Sequence, residues 1–284
     1  MKVLISTSTK KQKSLDVLPE VVDTLIKNGI GVCMLSDIYE FYSDERVSFS
    51  NDDGIIAECD IILTVGGDGT ILKWGKKAAE YDKPLIGINT GRLGFMTAFE
   101  CTELHKLSVL TTGNYSISKR MMINAEINKG GEKSDDTALN DIVLFKDINS
   151  KLPEYIVRIN GTIVSKIRAD GLIFSTPTGS TAYALSAGGT IIEPTVECIQ
   201  LTPLCAHSLF NRPMIFSGSD VISVSCKQYD GSQANISIDG NPGIPFNEGD
   251  ELILKKSGKT LKLIDIDGNG FYEAVSSKLM TPIK

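Results

Sequence analysis

The sequence is expected to fold as an α/β N-terminal domain with a parallel sheet, followed by a β-rich, β-sandwich-like C-terminal domain. Three features carry that expectation. Short apolar runs alternate with helix-spaced segments up to about residue 98, the pattern of a parallel sheet covered on both faces. A glycine-rich loop, Gly66-Gly67-Asp68-Gly69-Thr70, leads from an apolar run straight into a helical pattern. Beyond that the texture changes to many short alternating segments separated by turns, with few helices, through residue 267.

The elements follow in order. Val3–Ser6 is a short apolar strand, trailed by a polar loop with Lys10, Lys11 and Lys13. Leu15, Leu18, Val22, Leu25 and Ile26 lie at helical spacing, and Asn28-Gly29 supplies the C-terminal stop. Ile30–Leu35, Ile61–Val65 and Pro84–Asn89 are strands, with a helix over Thr70–Tyr81. In the later region Ile117–Ile127, Ala138–Phe145, Tyr155–Ile159, Thr162–Ile167 and Gly171–Phe174 are expected strands. Tyr183–Ala187 starts a helix; Val221–Cys226, Ala234–Ile238 and Glu251–Lys255 resume the strand pattern. These boundaries give an α/β domain over 1–98 and a β-rich domain over 99–267.

Composition narrows the chemistry. The 284 residues are 42% hydrophobic and 23% charged, which is globular stock, not disorder. A net charge of -6 argues against a nucleic-acid footprint. No apolar run approaches the roughly 20 residues of a membrane span, and the N-terminus lacks the apolar core of a signal peptide. The six cysteines form no C-x-x-C pair, so they are expected as buried small apolar residues in a reducing, cytoplasmic setting. Two histidines leave little room for a His-built metal site or triad, and no set of metal ligands stands out. Carboxylates, hydroxyls and backbone N–H groups must carry the chemistry.

The loop at 66–70 is the first candidate site. Gly66, Gly67 and Gly69 let backbone approach a ligand, and the helix beginning near Thr70 offers N–H groups and a positive dipole end. Phosphate is the natural guest. The Walker pattern fails, because Gly69 and Gly75 are one residue too far apart and Lys77 stands where Ser or Thr belongs. The dinucleotide fingerprint fails at Leu72. Asp68 is the informative residue. A carboxylate repels polyphosphate unless it holds Mg²⁺ or takes a proton from an attacking hydroxyl; a plain Asp-Gly turn is the other reading.

The second candidate site is Asp170–Gly189. Ser175-Thr176-Pro177-Thr178-Gly179-Ser180-Thr181 holds five hydroxyl residues in seven positions, more than one helix cap needs, and could serve a polar ligand such as a nucleotide. Asn140-Asp141 reads as an Asx turn before a strand, and Asp239-Gly240 as a hairpin turn. Asp265-x-Asp267-x-Asn269-Gly270 resembles a calcium loop but has Ser276 where Glu is required, and its flanks read as strand. Trp74, Met121 and Met122 read as packing residues.

Taken together, the GGDGT loop, Asn89-Thr90-Gly91-Arg92-Leu93-Gly94-Phe95, Asn140-Asp141, Asp170-Gly171, Ser175–Tyr183, Leu201-Thr202-Pro203 and Asn211-Arg212-Pro213 resemble the NAD kinase family in order and rough spacing. The GGDGT loop alone is shared with lipid kinases and phosphofructokinases; the STPTGSTAY stretch is the specific part. The resemblance implies phosphorylation of the adenosine ribose 2′-hydroxyl of NAD to NADP, with ATP or polyphosphate as donor and Mg²⁺ or another divalent metal. It implies that the chain end, 268–284, packs back on the first domain, and that the protein is a homodimer or homotetramer with neither nucleic-acid nor membrane partners. Carried over by residue, Asp68 is the proton acceptor beside Gly66, Gly67, Gly69 and Thr70. Lys73 is a basic NAD contact. Asn140 and Asp141 touch the nucleoside, with Asp141 shorter than the usual Glu. Arg168 and Asp170 lie near the nicotinamide half. Thr181, Ala182, Tyr183 and Ser186 wrap adenine and ribose, Asn241 is a late polar contact often filled by Gln, and a neighbouring subunit can touch the ligand near Cys205–His207. Two competing expectations remain: a diacylglycerol-type lipid kinase sharing the loop, and a catalytically silent dinucleotide-binding module.

Overall fold

The computed structural model describes residues 1–280 except 52, 92, 93, 209–211, 230, 231, 267 and 269. Arg92, Leu93 and Asn211 of the quoted motifs, Asp267 and Asn269 of the calcium-like loop, and residues 281–284 of the chain end therefore lie outside the described residues. Two compact units result: residues 1–119 with 261–284, and residues 120–260.

In the first unit, strands β1 (Lys2–Thr7), β2 (Gly31–Leu35), β3 (Val47–Ser50), β4 (Ile61–Gly66) and β5 (Pro84–Asn89) pair in parallel in the order β3-β2-β1-β4-β5. A two-residue strand, β6 (Phe99–Glu100), adds beside β5. β4 is buried at every position, as a central parallel strand of Ile, Leu and Val must be when helices cover both faces. The helices are α1 (Gln12–Asp16), α2 (Leu18–Lys27), α3 (Gly54–Glu58), α4 (Asp68–Glu80) and α5 (Val109–Thr112). Leu18, Val21, Val22 and Leu25 of α2 pack in one cluster with Ile5, Leu63, Leu104 and Leu107.

Several expectations need correction here. The helix read as one piece from Leu15 to Ile26 is two, broken at Val17. Pro19, in the first turn of α2, has no N–H to extend the α1 ladder. β3 and α3 escaped the periodicity because each is only four or five residues long. Residues 101–112, expected within the β-rich region, are helical: a 3-10 segment (Cys101–Ser108) runs into α5, and Leu104, Leu107 and Leu110 at spacings of three are its buried side. Four cysteines, Cys33, Cys59, Cys198 and Cys226, are buried as expected, but Cys205 is exposed, with φ of 45°.

The second unit is built from strands β7 (Ser116–Lys129, mostly in this unit), β8 (Glu132–Ala138), β9 (Asp141–Lys146), β10 (Glu154–Ile159), β11 (Thr162–Arg168), β12 (Gly171–Ser175), β13 (Cys198–Leu204), β14 (Met214–Ser217), β15 (Ile222–Lys227), β16 (Ala234–Ile238), β17 (Ile244–Phe246) and β18 (Glu251–Asp265), with a one-turn helix α6 (Tyr183–Ser186). One antiparallel sheet runs β14-β13-β12-β9-β16-β17. A second pairs β11-β10-β15 with the first half of β18. A single apolar cluster draws Ile142, Leu172 and Leu201 from one sheet and Tyr155, Val224 and Leu252 from the other, which is a sandwich core. β18 is longer than expected: it continues to Asp265, and Lys262 and Leu263 at its end pair in parallel with Pro84 and Leu85 of the first unit. The expected single strand Ala138–Phe145 is two strands, β8 and β9, because the N–H groups between them are drawn out of the ladder by an acid described below. After Asp265 the chain turns into helix α7 (Gly270–Val275), not strand as its flank suggested. A segment with wider, π-type turns follows over Ser276–Met280.

Candidate functional site

In an open parallel sheet, ligands bind beyond the carboxyl ends of the strands where the strand order reverses. Here that point lies between β1 and β4, whose neighbours run outward in opposite directions. The loop after β4 is Gly66-Gly67, with Gly67 as the N-cap of α4 in extended backbone. Thr7 Oγ1 donates to the Val65 carbonyl (2.9 Å) and Thr90 N–H to the Gly66 carbonyl (3.2 Å), so both flanking loops are tied to this one. The Thr70 side chain packs on Gly66 closely enough to exclude any Cβ there. A pocket of about 350 Å³ opens at this point, lined by Lys11, Gln12, Lys13, Gly67, Asn89, Thr90 and Gly91. The polar lysine loop after β1 thus stands at the mouth of the glycine loop. The first turn of the 13-residue α4 leaves backbone N–H groups without intrahelical partners, which suits phosphate.

Asp68 is not a plain turn residue. It occupies the first turn of α4, and both carboxylate oxygens accept backbone N–H groups: Oδ2 from Phe95 at 2.8 Å and Oδ1 from Met96 at 3.1 Å. Gly94 is glycine for a local reason, since a Cβ there would run into the Asp68 carboxyl. The carboxylate is therefore aimed from two directions and only partly buried. Lys73 is exposed on the same helix. Among the described residues no cluster of three or more acid, His or Cys side chains could hold a metal by itself.

In the second unit the organising residue is Asp239. It was read as a hairpin turn, and it does lie in one, with φ of 49° ahead of Gly240 at 74°. Its carboxylate does more: it accepts the N–H groups of Leu139 (2.8 Å), Asn140 (2.8 Å) and Asp141 (3.1 Å). This replaces the expected Asx turn at Asn140 and is the physical cause of the break between β8 and β9. Asp141 is buried against Asp239, and burial first, then that neighbouring charge, pushes its carboxyl up to about 7.

The hydroxyl-rich loop folds onto the same turn. Thr176 donates its N–H to the Asn140 carbonyl (2.9 Å) and its Oγ1 to the Leu139 carbonyl (2.6 Å), and Gly179 N–H donates to Thr176 Oγ1 (3.0 Å). Ser180 Oγ accepts the Ile192 N–H at 3.0 Å. Most of these hydroxyls thus look inward and rigidify the loop; they are not offered outward as composition suggested. Gly179 lies so close to the Asn140 backbone that no Cβ fits. Asn140 Oδ1 and Thr178 Oγ1 are buried without a hydrogen-bond partner among the described residues, as side chains shaped for a polar ligand are. Thr181 and Ala182 are half-buried, while Tyr183, on α6, is 49% exposed and Ser186 is also exposed. Asn241 is exposed and offers its backbone carbonyl to Ser237 Oγ at 2.6 Å.

Arg168 and Asp170 flank the end of β11. The Arg168 guanidinium stacks 5.1 Å from the Tyr229 ring centre, and Lys146 Nζ lies 3.9 Å from Asp170. A pocket of about 440 Å³ beside them is lined in part by Lys166, Arg168, His207 and Arg212. Such cationic lining suits an anion. His207 is fixed by its own N–H on the Arg168 carbonyl (2.7 Å). Nothing in the sequence singles out Lys166, Arg212 stands in a quoted motif without a role, and Asp239 reads there only as a turn. Asp239 looked like any Asp-Gly turn, and its partners lie 98 to 100 residues away.

Residues 3–112 match the ATP-NAD kinase N-terminal domain model, and residues 139–266 match the ATP-NAD kinase C-terminal domain model. The chain is 37% identical to the NAD kinase of Desulforamulus reducens over 225 residues, covering 78% of each. It is 35% identical to that of Natranaerobius thermophilus over 95% of this chain and 94% of the relative, and 30% identical to that of Geotalea daltonii over 98% of both. Two crystal structures share the fold at 24% identity: a yeast NADH kinase complexed with NADH (TM-score 0.89, covering all of this chain and 89% of that one) and an NAD kinase from Archaeoglobus fulgidus in complex with ATP (TM-score 0.73, covering 96% of each). With both domain models matched in order and relatives aligned end to end, the chain belongs to the NAD kinase family.

Proposed function

We infer that this protein phosphorylates NAD to NADP, with ATP or polyphosphate as donor and Asp68 as the base that takes the ribose 2′-hydroxyl proton. The observation that carries the role of Asp68 is its carboxylate, held by two backbone N–H groups at the head of α4, beside a phosphate-suited loop. The hydroxyl oxygen forms a bond to the terminal phosphorus. The bond from that phosphorus to the donor's bridging oxygen breaks, the donor leaves shortened by one phosphoryl group, and the proton passes to Asp68. The loop at 66–70, with Lys11 and Lys13, binds donor phosphates.

The second unit receives NAD. Asn140, Thr178 and Asp141 meet the nucleoside, with Thr181, Ala182, Tyr183 and Ser186 alongside. Arg168 and Asp170 meet the nicotinamide half, and Asn241 is an outer contact; Lys73, on α4 of the first unit, is the basic NAD contact that the family pattern implies. The ligands in the two related crystal structures, NADH and ATP, are of the same chemical classes. Mg²⁺ fits this arrangement as an ion that keeps several waters and rides on donor phosphates, which needs no protein cage. When bound, it neutralises phosphate charge. The protein is read as a cytoplasmic homodimer or homotetramer. Among the described residues no helix is long and apolar enough to cross a membrane.

The test is a product assay with NAD and Mg²⁺, run in parallel with ATP and with polyphosphate. NADP is expected with at least one donor. Phosphorylation of diacylglycerol in place of NAD, or NAD binding without NADP from any donor, would overturn the reading.

A further inference from the structure

The puzzle set by Asp68 is electrostatic. A base must stand beside the donor phosphates, yet a carboxylate there repels them. The chain end supplies a cation at this spot. α7 and the π-type segment belong to the first unit, as Asp68 does. Phe271 of α7 meets Phe95 with ring centres 6.4 Å apart, and Lys278 Nζ lies 4.4 Å above the centre of the same Phe95 ring. Phe95 is the residue whose N–H holds Asp68 Oδ2. One residue therefore orients the carboxylate with its backbone and seats an ammonium on its ring. Lys278 interacts electrostatically with Asp68. Partial burial lowers its pKa from the ordinary lysine value, against the raising pull of Asp68.

We propose that Lys278 is a positioning residue for the phosphoryl donor, its ammonium offsetting the Asp68 carboxylate so that a polyphosphate chain can lie beside the base. The inference rests on the phosphotransfer reading. Its consequence is compensation: loss of the cation alone weakens donor binding, loss of the carboxylate charge alone tightens it, and loss of both restores it.

Calorimetric titration with magnesium tripolyphosphate, without NAD, reads this directly. With Asp68 present, Lys278→Met is expected to weaken binding about tenfold, a coupling within the ordinary range for neighbouring charges. Lys278→Arg, which keeps the charge, should stay within about threefold of the parent. Asp68→Asn alone should tighten binding, and the double variant Asp68→Asn, Lys278→Met should return to within about threefold of the parent. A double variant as weak as Lys278→Met alone would overturn the proposal, as would no loss with Asp68 present. If Lys278→Met lowers the melting temperature, Lys278→Gln, with its polar end, carries the same cycle. The readout needs no NADP. Compensation without turnover would sink the phosphotransfer reading alone, and turnover without compensation would sink this one alone.

Discussion

Asp68 and Asp141 are both carboxylates at the proposed ligand contacts, yet their surroundings differ. Asp68 is partly buried, and two backbone N–H groups fix the direction of its carboxylate. Asp68→Asn keeps the shape and removes the basicity. Its kcat is expected to fall at least about a hundredfold, the lower end of general-base assistance, while NAD affinity by calorimetry stays near the parent value. Near-normal turnover in Asp68→Asn would end its assignment as the base. Asp141 is 6% exposed and faces Asp239, so its carboxyl titrates near 7 instead of at 3.8. The sign of its effect on stability follows. Below about pH 4 it is protonated in both states. Between there and about 7 the folded protein keeps a proton that the unfolded chain has released. Stability therefore falls as pH rises through that window. Asp141→Asn should flatten the urea-midpoint profile over that range and raise the midpoint at pH 8. A profile as steep as the parent's would show that another group sets it.

At the scale of elements, two glycines hold loops to their neighbours. Gly179 lets the hydroxyl-rich loop touch the Asn140 backbone, which Asp239 in turn fixes. Gly179→Ala pushes against main chain that cannot yield easily, so a loss of about 1–3 kcal/mol is expected in urea unfolding, together with weaker NAD binding. Retention of both would mean that the loop has slack. Gly94→Ala instead presses on the Asp68 carboxyl and should lower kcat more than stability. This scale also shows what could be read beforehand. The central strands were legible because Ile61–Val65 and Pro84–Asn89 are unbroken apolar runs, and such runs have one stable home. The α2 break was harder: Leu15 and Leu18 keep helical spacing across it, and Pro19 gave the only local sign. The β8–β9 break was hidden altogether, because its cause is a carboxylate 98 to 100 residues along the chain. The candidate site divides in the same way. Glycine-loop and hydroxyl-loop residues announce themselves locally by composition. Asp239 and Lys278 matter through partners that only the fold brings near, and nothing in their own neighbourhoods marks them.

For the whole molecule, charge is the constraint. A chain of net charge -6 that takes two polyanionic ligands must gather positive potential where each one binds. Each unit has a pocket with cationic lining: Lys11 and Lys13 at the switch point of the first, and Lys166, Arg168 and Arg212 in the second. If the units divide the ligands, charge changes in one should leave the other's ligand alone. Lys11→Glu with Lys13→Glu is expected to weaken magnesium tripolyphosphate binding about tenfold, as loss of charge-assisted contacts does, with NAD affinity unchanged. Arg168→Glu should do the reverse, weakening NAD by a similar factor and leaving tripolyphosphate unaffected. Because these cations are exposed, both affinities should also fall as salt rises from 50 to 500 mM, conditions that shorten the screening length to a few ångströms, about 4 Å at the upper end. The melting temperature should move little over the same range, since the cores are apolar. Equal losses of both ligands from either charge change would show that the two sites are not electrically separate, and the division of labour between the units would have to be abandoned.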